Sequence, residues 1–102
     1  MATLDTQTMI YRNKKLLEAC RQLNCQNCGR WSDTVCAAHR NEGKGMGLKV
    51  SDALVAALCN ECHYSLDNGK ELSRDERRDM WNRAYINTIK NLIEQEKLVV
   101  KV

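Results

Sequence analysis

The chain has 102 residues, a net charge of +3, two Trp, three Tyr and no Phe, which leaves room for one domain with a thin core and not for two. No apolar run nears the roughly 20 residues of a membrane span. Residues 1–7 are polar and no apolar stretch follows them, so no secretory leader is expected. A cytoplasmic setting is then expected. There thiols stay reduced, and the six cysteines point to metal rather than disulfides.

Residues 1–7 read as a loose terminus. From Thr8 to Leu23, apolar residues recur at Met9, Ile10, Leu16, Leu17, Cys20 and Leu23, a helical spacing strongest from Asn13 on. Cys20 falls on the apolar face, where a small core residue is expected rather than a ligand. Cys25-Gln26-Asn27-Cys28 is a knuckle, and Gly29 permits the tight reversal after it. Trp31 is expected to pack against the metal site or the first helix, with stacking on a nucleobase as the alternative.

Thr34 to His39 is short and largely apolar and reads as a strand. Val35, Ala37 and His39 then share one face, Cys36 and Ala38 the other. Asn41 to Lys49 holds three of the five glycines and two lysines. It has two readings: a flexible basic loop on a hairpin, or a loop whose Lys44 and Lys49 mould to a phosphate backbone. Ala53 to Leu58 is a continuous apolar run, as in a strand buried on both faces. Cys62 to Asn68 follows as a short helix, with Gly69 suited to its end.

Ser73 and Glu76 form a capping box, with Asp75 favourable to the helix dipole. A helix is expected from about Arg74 to Glu96, with an apolar stripe of Trp81, Ala84, Tyr85, Thr88, Ile89, Leu92 and Ile93. Leu98 to Val102 is β-prone. It is read as an added edge strand or a segment that pairs with a second chain, so the C-terminal helix or tail is where a homodimer would form. Charge is uneven. Residues 1–49 carry 8 Lys/Arg against 4 Asp/Glu, and residues 50–102 carry 8 against 9. The basic half suits nucleic acid as well as an ordinary solvated surface.

The strongest chemical signal is the pair of C-x-x-C turns, Cys25/Cys28 and Cys59/Cys62. Four soft thiolates at this spacing suit a tetrahedral Zn²⁺ in a closed, structural site. A competing partition also takes Cys36 and His39, a C-x-x-H pair, with Cys20 and His63, giving ligands for two structural zincs. The second signal is His39, His63 and Asp67. His63 and Asp67 stand four apart, so their side chains converge on one helical turn. An imidazole and a carboxylate held this way suit a divalent cation with open positions for water and phosphate.

The order C-x-x-C, histidine at a strand end, glycine-containing loop, apolar strand and C-x-x-C-H resembles the zinc-knuckle branch of the HNH, or ββα-metal, endonucleases. Within it, the small phage- and prophage-encoded YbcO-like proteins are most similar. Ala38-His39 matches their Ala-His pair, and Asp52, Cys59, Cys62, His63 and Asp67 match their Asp-(x)6-Cys-x-x-Cys-His-x-x-x-Asp pattern. The match spans roughly residues 14–70, and the second C-x-x-C-H block is its specific part. The resemblance implies His39 as general base, His63 and Asp67 as ligands of a catalytic Mg²⁺ or other divalent ion, and Arg40 as a phosphate contact. It also implies a place in processing phage or prophage DNA in the host cytoplasm. Two positions depart from the pattern. Ala38 stands where many members have a metal-binding Asp, and the Asn that usually orients the base histidine is not evident. Asp52 is near enough in sequence to orient it, and water, Glu42 or Asp52 would complete the metal shell.

The fold expected is therefore α+β: a ββα-metal core over residues 24–70, stapled by a four-cysteine zinc site. An N-terminal arm and helix (1–23) precede it, and a long C-terminal helix and tail (73–102) follow. The function expected is metal-dependent DNA endonuclease, with a non-catalytic zinc module for nucleic acid or a protein partner as the alternative.

Overall fold

A computed structural model describes residues 11–40, 50–68 and 70–102. In chain order its elements are α1 (Lys14–Arg21), β1 (Cys36–His39), β2 (Val55–Leu58), α2 (Asn60–Asn68) and α3 (Arg74–Glu94). The fold is a small α+β arrangement of three helices and one two-stranded sheet. None of these helices is long and apolar enough to cross a membrane.

Asn13 sets the start of α1. Its side chain accepts from the Leu16 amide at 3.0 Å while its own backbone stays extended. The expected helical spacing from Thr8 to Ile10 lies outside the described residues. Cys20 is fully buried on the inner face of α1, as its position in the pattern implied.

β1 and β2 pair antiparallel, with Cys36 opposite Leu58 and His39 opposite Val55. Every residue of β2 is buried, which accounts for its unbroken apolar run. The sheet does not continue into the tail. Leu98 to Val102 forms no strand, so of its two readings the added edge strand does not hold. The outer edge of β2 is already occupied: the Gln26 amide donates to the Ala57 carbonyl at 2.8 Å, and the Ala57 amide donates to Thr88 Oγ1 at 2.9 Å.

α3 opens on the capping box, with Ser73 Oγ accepting from the Glu76 amide and the Glu76 carboxylate accepting from the Ser73 amide. It ends two residues short of the expected Glu96, because Glu96 takes a left-handed conformation at φ 57°. The Lys97 amide then reaches the Leu92 carbonyl and the Glu96 amide reaches Ile93, a Schellman closure. Met80, Trp81, Ala84, Thr88 and Leu92 form the buried stripe. Ile93, expected on that stripe, is exposed instead.

Two members of the stripe bind the sheet through polar atoms. Trp81 stacks on Tyr85 with ring centroids 4.9 Å apart and donates its indole N–H to the Ala38 carbonyl at 3.0 Å. Thr88 accepts from the Ala57 amide and donates to the Ala84 carbonyl at 2.7 Å. Thr88→Val keeps the shape but orphans a buried amide. The expected loss is about 1–3 kcal/mol, read by urea denaturation. A change within error would mean that the hydroxyl does not cap the strand edge.

Candidate metal centre

The first knuckle is built by its own backbone. The Gly29 amide donates to the Cys25 carbonyl at 2.9 Å, and the Cys25 amide donates to the Arg30 carbonyl at 2.9 Å. Gly29 sits at φ 81°, where a side chain would be strained. The amides of Asn27 and Cys28 point at Cys25 Sγ at 3.4 and 3.5 Å. The second knuckle doubles as the start of α2. This helix begins at Asn60 rather than Cys62, because the turn over Cys59 is already helical, with the His63 amide on the Cys59 carbonyl at 2.9 Å. Thr34 Oγ1 accepts from the Asn60 amide at 3.1 Å and serves as a cap from a distant part of the chain.

The ligand atoms of Cys25, Cys28, Cys59 and Cys62 all lie within 4.8 Å of one another. Sulfurs sharing a tetrahedral ion at about 2.3 Å stand about 3.8 Å apart. Cys28 Sγ and Cys59 Sγ are 3.9 Å apart. The four sulfurs are thus placed to hold a metal ion such as zinc. Donors surround them: Asn27 Nδ2 lies 3.3 Å from Cys62 Sγ, and the Arg30 guanidinium lies 3.6 Å from Cys59 Sγ and pairs with Glu61. Burial pushes the Cys59 thiol up, but the Cys62 amide and Arg30 outweigh it and bring it down to about 6. Cys62 is pushed up to about 12, first by burial and then by Cys59 and Cys25 beside it. A divalent cation relieves this crowding of charge.

Outside the knuckles, the predicted residues fall into two pairs. His39 Nε2 lies 2.8 Å from Asp52 Oδ1. Asp52 is 3% exposed and also accepts from the Asn13 amide at 2.7 Å and from Arg12 at 3.0 Å. Burial works against its ionisation, but His39, the Asn13 amide and Arg12 together lower its pKa. His63 forms the second pair, with Nε2 3.2 Å from Asp67 Oδ2. Its Nδ1 lies 3.3 Å from Cys36 Sγ, a contact the strand reading of Cys36 did not anticipate.

The partition that joined Cys36 to His39 is corrected here. The two are three residues apart on β1, so strand alternation separates them, and each finds a different partner. Among the described residues, no second group of three such ligands comes as close together as the four cysteines. Arg40 follows His39, and its amide donates to the Leu54 carbonyl at 3.0 Å. Glu42, Lys44 and Lys49 lie outside the described residues. Trp31 does not pack against the metal site or α1. It is 67% exposed.

Asp52 is the residue whose importance the sequence understated. Its partners Arg12 and Asn13 lie 40 and 39 residues away in the chain, beyond the reach of any local spacing. No family model, curated protein or solved structure matches the chain, so the reading of its function rests on these residues and their geometry.

Proposed function

We propose that the chain is a metal-dependent DNA endonuclease that hydrolyses phosphodiester bonds. The observation that supports it is the His39–Asp52 pair at the end of the hairpin, with the His63–Asp67 turn on the helix that follows. With Nε2 tied to a buried carboxylate, His39 keeps Nδ1 for the proton of an attacking water. The water oxygen bonds to phosphorus, the P–O3′ bond breaks and a solvent water protonates the departing oxygen, leaving a 5′ phosphate and a 3′ hydroxyl. A Mg²⁺ or other divalent ion at His63 and Asp67 would supply positive charge at the scissile phosphate and the departing oxygen. Arg40, Lys44 and Lys49 are assigned phosphate contacts.

The test is plasmid nicking by purified protein with Mg²⁺ or Mn²⁺. His39→Ala should slow cleavage by about 10²–10⁴-fold. Intact plasmid with both proteins would sink the reading.

One observation favours a second reading, a zinc-stapled module that binds nucleic acid or a protein partner without cutting. Both ring nitrogens of His63 already face side chains, and Ala38 offers no metal donor. This reading predicts salt-sensitive DNA binding that His39→Ala leaves unchanged.

A further inference from the structure

The cleavage chemistry leaves unused an open groove between the first knuckle, α2 and the start of α3. Its volume is about 930 Å³, within the roughly 300–1,000 Å³ of small-molecule sites. One wall is a single face of α2, where Glu61, Tyr64, Ser65 and Asn68 recur at i, i+3, i+4 and i+7. Asn27 and Arg30 from the turn of the first knuckle and Met80 of α3 also line it. His63 and Asp67 occupy the adjoining strip of the same helix. Tyr64 stands on the border between the two, directly after His63 and at i, i+3 to Asp67. It is 66% exposed.

The charge of the groove is balanced. Arg30 and Lys70 line it against Glu61 and Glu71, and Arg30 pairs with Glu61. Such a surface does not draw in phosphates, which bind through an excess of Lys and Arg. It suits a neutral, planar and polar group. An exposed tyrosine ring offers a stacking face, and the side-chain amides of Asn27 and Asn68 each carry both a donor and an acceptor. A nucleobase has both a face and polar edges. It presents its face only when it is unpaired and unstacked.

We propose that this groove takes unpaired bases of a DNA strand, with Tyr64 as the stacking platform and Asn27 and Asn68 on the base edges. The preferred substrate is then single-stranded or frayed DNA rather than intact duplex. This rests on the nuclease reading only for where the scissile phosphate lies, beside His63 and Asp67. A strand held there passes its neighbouring base over Tyr64. Negative supercoiling favours opening of the duplex, so a plasmid still offers such strands.

The test is binding of a short single strand that carries 2-aminopurine, a fluorescent base quenched by stacking. The zinc-loaded full chain is used without added Mg²⁺, so that the strand stays whole. Tyr64→Ala should weaken single-strand binding about 5–150-fold and remove the quench, and Tyr64→Phe should keep both. A duplex of the same sequence should bind more weakly than the single strand and respond little to Tyr64→Ala. Circular dichroism of the variants should match that of the unaltered chain. If Tyr64→Ala does not fold, Tyr64→Leu takes its place, since it keeps apolar bulk without a stacking face. Equal single-strand affinity in the unaltered chain and the variant lacking the ring overturns the groove as a base site. So does a duplex, or RNA of the same sequence, bound more tightly than the DNA strand. Nicking with Mg²⁺ is scored separately. Cleavage with single-strand binding indifferent to Tyr64 would remove this site and keep the nuclease, and Tyr64-dependent binding without cleavage would do the reverse.

Discussion

Chelation of the four-cysteine ion is expected to unfold the domain. Far-UV circular dichroism should lose its helical signal, and added zinc should restore it. Structural zinc sites contribute about 10–16 kcal/mol of apparent binding free energy near neutral pH, while whole domains are stable by about 5–15 kcal/mol. The loss therefore exceeds what the remaining core can supply. Cys25 and Cys59 are themselves core residues, packed with Leu23, Val35, Ala57 and Leu58. Without the cation, the site asks neighbouring sulfurs to share charge, with Cys59 drawn down to about 6 and Cys62 driven up to about 12. Cys59→Ser should behave like chelation. Because protons compete with metal for thiolates, affinity should fall as pH falls. A helical signal that survives complete zinc removal would show that the staple is dispensable.

Asp52→Ala is expected to cost about 3 kcal/mol near neutral pH, measured by urea denaturation. Breaking a buried charge pair costs about 3–5 kcal/mol. The low end applies because the Arg12 side chain is 43% exposed and water takes up much of its loss. The larger share comes from the Asn13 amide and His39, which lose an acceptor 2.7 and 2.8 Å away. The pH dependence has a definite sign. The folded pKa of Asp52 is depressed below 3.8. Its contribution is therefore fully present above that value and disappears as pH falls through the lower folded one. The gap between the unaltered chain and the variant should close in strong acid. A cost under about 1 kcal/mol, or a gap that persists in acid, would mean that the carboxylate does not organise this corner.

Much of this architecture can be read from spacing. The C-x-x-C turns, the capping box at Ser73 and Glu76, and the apolar run of β2 each carry their physical cause within a few residues. The features that escaped depend on long-range contacts or on exceptions to local preference. Cys36 and His63 meet across 27 residues, and Thr34 caps a helix 26 residues on. Thr88 looked like one more member of a stripe, yet its hydroxyl closes a strand edge. Glu96 ends α3 where a glycine would have announced the stop. Trp31 shows the opposite failure, since a large apolar ring beside a knuckle invites burial that the fold does not provide. The candidate site divides the same way. The knuckle ligands and the His63–Asp67 turn were plain from spacing, and Asp52 was within reach as a partner for His39, but the contact of His63 Nδ1 with Cys36 emerged only once the hairpin and helices were in place.

The Gln26 amide and Thr88 hydroxyl that cover the flank of β2 bear on how the molecule behaves in a crowd. An open strand flank is a template for fibril growth and for trading strands between copies. Here that flank has no backbone pairing left to offer at Ala57. A visitor on this side must be recognised by side chains, and a Thr88 variant would be the one to watch for slow clumping during storage.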